Sequence, residues 1–585
     1  MSIARLNAGT LTRALRAPLR LHFQLRVSTP KMAPQARKSS GLPAGKHTLL
    51  WETLMRYLKS LHPLLSQPEY EHSKKAVEEF VAPGGPGEAL QKRLVARRED
   101  PSVKNWIYEW WNHSAYLAYR DPVVPYVSYF YSHRDDRRRR DPAKRAAAMS
   151  TAVLEFKKQV DEGTLEPEYM RKAPIAMSSY EYMFNCCRIP AKPADYPAKY
   201  NYKKHPYIIV VRKNQFFKVY HEVNGKQLNT SELEQQFRKI YEKAEKGAPI
   251  GILTSQHRDA WTYARDHLIQ ASPVNKASLE AIEASSFVVC LDDASPVTLE
   301  ERAHQYWHGD GQNRFFDKPL QFIINDNGTS GFMGEHSMMD GTPTHRLNDY
   351  ANMLIFTNAL DFSNPEIRSN IPDPQPLRWS VNKEIEEDLN AAQRHFDRQI
   401  GQHELRVQAY QGYGKGLIKK FKCSPDAYVQ MVIQLAYFKM YGKNRPTYES
   451  AATRKFQLGR TETTRTVSDD SVAFCNAMAD PEISQDDCIS KFRAAINAHV
   501  KYIADASDGN GVDRHLFGLK MCLQQGEPTP QIFTDPAFGY SSTWFISSSQ
   551  LSSEYFNGMS FYLNEAAGDV RDLMMKTLEA PKATL

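Results

Sequence analysis

The hydrophobic pattern of the chain changes period along its length. Over residues 47–66, Leu49, Leu50, Leu54, Tyr57, Leu58 and Leu61 recur at three- and four-residue steps, which predicts an amphipathic helix that Pro63 stops. A second helix is expected over 69–81, and Pro83-Gly84-Gly85-Pro86-Gly87 breaks the chain after it. Trp106, Trp110 and Trp111 read as an aromatic core anchor, and Asp121–Pro125 as extended. From 200 to 330 the pattern alternates. Tyr207–Val211 and Phe216–Tyr220 predict a hairpin turning at Lys213-Asn214. A helix over 230–245 with Ser231 as N-cap follows, then a short strand Ile250–Leu253, a helix over 257–270 and a strand Phe287–Leu291. Leu320–Ile324 predicts a strand that turns at Asn327-Gly328 into a second extended segment, Gly331–Glu335. Strands interleaved with helices predict an α/β fold. A charged helix with periodic Ile and Leu is expected over 383–408, opening a second domain near 380. Ser424-Pro425 predicts the start of an apolar helix over 426–440, and a final helix is expected over 562–578.

Length and composition bound this picture. A chain of 585 residues is too long for one core, so two large domains are expected. Hydrophobic content of 41% with 24% charged residues is ordinary for a globular protein. The net charge of +8 owes part to the N-terminus, where the first acidic residue is Glu52. Arg5, Arg13, Arg16, Arg20 and Arg26 punctuate Leu, Ala and Phe there, so residues 1–46 resemble a mitochondrial transit peptide and leader, with Met32 as a second start. Ala583-Thr584-Leu585 only approximates a peroxisomal signal. Seven cysteines without a CxxC pair argue against a zinc ribbon and fit a reducing compartment. No run of about 18 apolar residues predicts a membrane span. The run Arg137–Arg140 lies beside Asp135 and Asp136, reads as a solvated loop, and no nucleic-acid module accompanies it.

Candidate chemistry centres on His336, at the end of the second extended segment and followed by Asp340-Gly341. A histidine where a strand gives way to a loop suits general base work, because imidazole titrates near neutrality. A buried, satisfied histidine is the structural alternative. Lys415, Lys419, Lys420 and Lys422 cluster ahead of the helix start at Ser424-Pro425-Asp426, and cations beside a helix N-terminus suit a polyanionic phosphate. By composition alone a solvated lysine loop is equally good.

Glu335-His336-Ser337-x-x-Asp340-Gly341 resembles the active-site signature of the choline/carnitine acyltransferases. Three further blocks are similar to that family. Tyr413–Asp426 resembles its CoA-binding stretch, Thr447–Arg465 its carnitine-binding segment, and Phe545–Gln550 its Ser-Thr-Ser-Gln motif, with Ser548 in place of Thr. The opening, 43–131, is also similar. The resemblance implies an α/β fold of two chloramphenicol-acetyltransferase-like domains with mixed sheets and helices, over 47–380 and 381–585, and an active-site tunnel at their interface. The first helices are expected to pack on the C-terminal half. It implies His336 as base and Ser549 as oxyanion donor. CoA would be held by Lys415, Lys419, Lys420, Phe421, Lys422, Cys423, Ser424, Pro425, Asp426 and Gln550. Carnitine would be held by Tyr448, Ser450, Thr461, Arg514 and Ser547. Arg460 is expected to pair with Asp340. A basic residue that relatives use on CoA is replaced here near Val500, beside Lys501. After Gln550 the similarity departs, and some tens of residues expected past Gly558 are missing.

The implied activity is reversible transfer of acetyl or other short acyl groups between CoA and the 3-hydroxyl of carnitine, as in fungal members of the family. CoA serves as co-substrate, and no metal or permanently bound cofactor is implied. The alternatives are medium-chain transfer, transfer to choline, a CoA-binding form with impaired catalysis, and a metal hydrolase using His336, His345 and Asp340, which lacks an HExxH motif. The expected state is a monomer with no nucleic-acid partner and no span, at most peripheral on a membrane. The expected location is the mitochondrial matrix or inner-membrane face, with a peroxisomal pool as an alternative.

Overall fold

The structure is a computed structural model that describes residues 48–363, 365–407, 410–549 and 570–575. The leader over 1–46, Gln550 and the junction at Gly558 lie outside the described residues. Of the expected final helix, residues 570–575 are described and helical.

A mixed seven-stranded sheet carries the first half. Its strands are β1 (Ser128–Ser132), β4 (Tyr207–Arg212), β5 (Gln215–Tyr220), β6 (Val288–Asp292), β7 (Leu320–Asn325), β8 (Ser330–Glu335) and β9 (Gln375–Pro376). A separate hairpin, β2 (Cys186–Ile189) with β3 (Tyr196–Lys199), lies between them in the chain. Across the large sheet the order is β1-β8-β7-β6-β4-β5-β9. β6 runs parallel to both β4 and β7, and the remaining pairs are antiparallel.

Both faces of this sheet are covered, which explains why its central strands read as unbroken apolar runs. Ile208, Val210, Val289, Leu291, Phe322 and Phe332 face one core with α3 (Pro142–Asp161), α4 (Thr230–Lys243) and α7 (Gly341–Thr357). Ile209, Val211, Val288, Cys290, Ile323 and Met333 face the other, with α5 (Arg258–Ala271), α6 (Pro273–Ala284) and α8 (Lys383–Ile400). The period-two alternation thus splits each strand between two helical layers.

A second, three-stranded sheet comprises β10 (Thr447–Ala452), β11 (Thr461–Arg465) and β12 (Ile546–Ser548), in the order β11-β10-β12. Near it, α9 (Lys415–Lys420), α10 (Pro425–Tyr441), α11 (Asp469–Ala479) and α12 (Gln485–Asp505) share one apolar cluster. The first helices, α1 (Thr48–Leu61) and α2 (Gln67–Val81), bury their stripe with Trp106 against Leu516 and Leu519 of α13 (Asp513–Met521).

Several expectations need correction. Ile250–Leu253 is not a strand but part of a 3-10 turn, Ile250–Ser255. The N-cap of α4 is Asn229 rather than Ser231, in a capping box with Glu232. The helix expected over 383–408 stops at Ile400. The segment read as extended before Pro125 is so at Pro122 and Val124, but a kinked turn runs over Val123–Tyr126.

Candidate active site

β8 is buried along its whole length and delivers His336 directly after its last residue, Glu335. Gly334 is required there, because a Cβ would lie 2.7 Å from the ring of Tyr129, and that ring sits edge-on against His336 at 5.2 Å. On its other side the imidazole stacks on Tyr116, with centroids 5.5 Å apart and planes at 12°. The His336 side chain keeps 31% of its surface accessible.

The loop after His336 is fixed by Arg460. This guanidinium donates to both carboxylate oxygens of Asp340 (2.9–3.3 Å), to the main-chain oxygens of His336 (3.0 Å) and Ser337 (2.5 Å), and to Asn112 Oδ1 (2.7 Å). It also lies 4.3 Å above the Tyr116 ring, on which His336 stacks. Asp340 stands at the N-cap position of α7 but makes no side-chain cap, its carboxylate being committed to Arg460. His336 Nδ1 is 3.8 Å from Asp340 Oδ1. The arrangement sets the protonation states. Desolvation pushes His336 below the usual imidazole value, Asp340 pulls it back in part, and Arg460 reinforces the lowering. Burial alone would raise Asp340, but Arg460 and then His336 outweigh it and hold the carboxyl ionised. A neutral imidazole beside a fixed anion is the state a general base needs.

The second group stands on β10 and β11. Tyr448 and Ser450 share one face of β10, while Thr447 and Glu449 face the buried side. Thr461 opens β11. Arg514, in the first turn of α13, donates to Thr461 O (3.1 Å), Thr461 Oγ1 (3.4 Å) and Thr463 Oγ1 (3.3 Å). Its guanidinium stacks 3.4 Å over Trp111, whose buried Nε1 has no partner among the described residues. Trp111 in turn meets Tyr116 edge-on at 6.4 Å, so aromatic rings run from Arg514 to His336. Ser547 pairs in register with Tyr448, parallel across β12 and β10. Ser548 is buried, accepts from Gln430 (2.9 Å) and donates to Tyr448 O (2.9 Å), a structural role. Ser549 is exposed at the end of that strand.

The lysine block forms α9, a short helix with Lys415 and Lys419 one turn apart, and Lys415, Lys419, Lys420 and Lys422 are all exposed. Phe421 and Cys423 are buried in the apolar cluster, and Arg493 donates to the Phe421 main-chain oxygen (3.3 Å). Ser424 caps α10 by accepting from Ala427 N, with Pro425 at the first helical position. Asp426 faces inward to Glu449 and His499, and the ligand atoms of these three lie within 4.8 Å of one another. Burial alone would depress His499, but the two carboxylates outweigh it and bring its pKa to about 9. The imidazole is therefore a cation paired with Asp426 and Glu449. Lys501 pairs with Asp505, and Val500 is exposed.

The sequence pattern missed Trp111, Tyr116 and Asn112 as neighbours of Arg514, His336 and Arg460. The Trp-Trp-Asn-His-Ser-Ala-Tyr run signalled an aromatic core, and nothing in its spacing pointed to residue 336.

The Choline/Carnitine o-acyltransferase family model matches residues 49–567. The chain is 39% identical over 543 residues to "Carnitine O-acetyltransferase, mitochondrial" of Saccharomyces cerevisiae, covering 89% of this chain and 80% of that protein. It is 37% identical over 524 residues to the human "Carnitine O-acetyltransferase", covering 86% and 82%. It is 33% identical over 524 residues to "Choline O-acetyltransferase" of Danio rerio, with the same coverage.

Proposed function

Since the chain belongs to the choline/carnitine acyltransferase family, we propose that it is a carnitine O-acetyltransferase in which His336 is the base. His336 takes the proton of the carnitine 3-hydroxyl. The alkoxide oxygen attacks the thioester carbonyl of acetyl-CoA, and Ser549 donates to the developing oxyanion. Collapse of the tetrahedral intermediate breaks the C–S bond, and protonated His336 returns the proton to the departing thiolate. In reverse the same imidazole deprotonates CoA. Lys415 and Lys419 meet the 3′-phosphate, and the rest of the run to Asp426, with Gln550, completes the CoA contacts. Tyr448, Ser450, Thr461, Arg514 and Ser547 hold carnitine.

The observation that carries this reading is the placement of His336 against Asp340 and Arg460, because Arg460 immediately precedes Thr461. The loop bearing the base is thereby tied to the segment bearing the carnitine contacts. Arg514 clasping Thr461 favours carnitine over choline, since only carnitine has a carboxylate to meet a guanidinium. The two sheets are read as the cores of two domains, 47–380 and 381–585, with substrates meeting between them, in a monomer placed in mitochondria. No helix among the described residues is long and apolar enough to cross a membrane. A thiol-release assay with acetyl-CoA and either carnitine or choline tests the proposal. Carnitine-dependent release that His336→Ala abolishes is expected. Equal or greater release with choline would overturn the substrate assignment.

A further inference from the structure

Arg188 lies in β2, far from His336 in sequence, and its side chain is almost wholly buried, at 1% accessible. It uses all three arms of its guanidinium. Nη1 donates to Glu335 Oε1 at 3.2 Å, and Nη2 donates to the main-chain oxygen of Tyr116 at 2.8 Å. Nε donates to Asp195 Oδ2 at 2.8 Å. Glu335 is the residue before His336, and its carboxylate accepts from Ser337 N (3.1 Å) and Ser337 Oγ (2.7 Å), clasping the residue after it. Tyr116 is the ring on which His336 stacks. One planar group therefore holds both the loop that carries the imidazole and the helical turn, His113–Leu117, that carries its stacking partner.

The anchor behind Arg188 is itself bonded on several sides. Asp195 also accepts from Arg258 (2.6 Å) and Arg120 (2.9 Å), and Arg258 pairs with Asp317 at 2.8 Å. The main chain repeats the connection: Asp195 N donates to Leu117 O (2.9 Å), and Arg188 N to Asp317 O (3.0 Å). Bidentate and tridentate guanidinium contacts fix direction as well as distance, which lysine cannot reproduce.

We propose that Arg188 is a positioning residue for the transfer reaction: through Glu335 and Tyr116 it sets the registry of the His336 ring against the Tyr116 ring. Arg460 adds a second hold, on the oxygens of His336 and Ser337 and, at 4.3 Å, over the Tyr116 ring. The titratable and charged groups facing His336 are Asp340, Glu335, Arg460, Tyr116 and Tyr129, and Arg188 fixes two of these five. The inference rests on the role of His336 given above.

The test compares Arg188→Lys, Glu335→Gln and the milder Ser337→Ala, each in the full chain. Steady-state kinetics are measured with acetyl-CoA and carnitine, and the His336 imidazole is titrated by NMR in isotope-labelled protein. Misplacing a reacting group by about 1 Å costs roughly 100-fold, so Arg188→Lys should lower kcat by about 10- to 100-fold. Both KM values should stay within about threefold, as they would if only the base were displaced. Ser337→Ala should follow in the same direction by a smaller factor, and Arg188→Lys with Glu335→Gln together should be no worse than the more damaged single variant. The His336 titration midpoint should move in each variant. Raised KM with unchanged kcat, or activity lost only in proportion to unfolded protein with the imidazole titration unmoved, would overturn the proposal. The NMR readout needs no turnover. A wild-type chain inactive with carnitine would therefore refute the functional reading while the titration still decided the role of Arg188.

Discussion

At the scale of single residues, the chemistry rests on how two imidazoles are treated differently. Desolvation and Arg460 hold His336 neutral, while two carboxylates hold His499 charged. For His336 the consequence is kinetic. Its folded value lies below the usual value of about 6.5, so kcat/KM should rise with pH through a midpoint below 6.5 and stay level to about pH 8. A pH–rate profile checks this, and a midpoint at or above 7 would contradict it. His336→Ala should lower kcat by about 10²- to 10⁴-fold with the affinity for CoA retained, measured by calorimetry. For His499 the consequence is stability. Its folded value, about 9, lies above the unfolded one, so the folded state binds more protons between the two. The stabilisation is full below about pH 6.5 and is lost as pH rises to about 9, on the order of a few kcal/mol. Denaturant melts across that window should show the decline in the wild type and a flatter profile in His499→Gln.

At the scale of elements, local rules read the chain well where one physical demand dominated. The hairpin at Lys213-Asn214 was legible from the apolar runs on either side, and the two turn residues take positive φ, at 50° and 65°. Ser424-Pro425 was legible because hydroxyl cap and proline each suit one position only. Ile250–Leu253 was not legible, since a short, fully buried apolar run has no period to separate strand from helical turn. At the start of α4, Asn229 and Ser231 each have a glutamate three residues on, Glu232 and Glu234, and the structure uses Asn229 with Glu232. The lysines show the same limit in the site itself. Composition left a phosphate cradle and a solvated loop equal, and helicity over Lys415–Lys420 now puts Lys415 and Lys419 on one face. Lys415→Ala with Lys419→Ala should raise the KM for acetyl-CoA about 10-fold or more, with kcat kept. The same pair should matter little with a dephosphorylated CoA lacking the 3′-phosphate, and added salt should shrink the difference. An equal effect on both thioesters would remove these lysines from the phosphate.

At the scale of the whole molecule, strand order and the meeting of distant segments lay beyond what a pattern can carry. β6 sits between β4 and β7 although the chain reaches β5 and three helices, α4 to α6, first. Nothing local to residues 110–116 or 188 announces their approach to residue 336. The Asp340–Arg460 pair came from the family resemblance, and the structure shows it as the direct link between the loop after β8 and the start of β11. Both side chains are largely buried, at 13% and 8% accessible, so each is costly alone. Removing one partner from a buried pair strands the other charge, at roughly 3–5 kcal/mol, whereas replacing both can be nearly neutral. Asp340→Ala and Arg460→Met should therefore each lower the stability to denaturant by about that much, and the double variant by much less than the sum. Activity should not recover with stability, because the double variant still lacks the guanidinium that holds the oxygens of His336 and Ser337. If Asp340→Ala unfolds at the wild-type midpoint, the pair does not join the two segments energetically. If the double variant regains full turnover, Arg460 contributes to the fold alone and the base is oriented by other contacts.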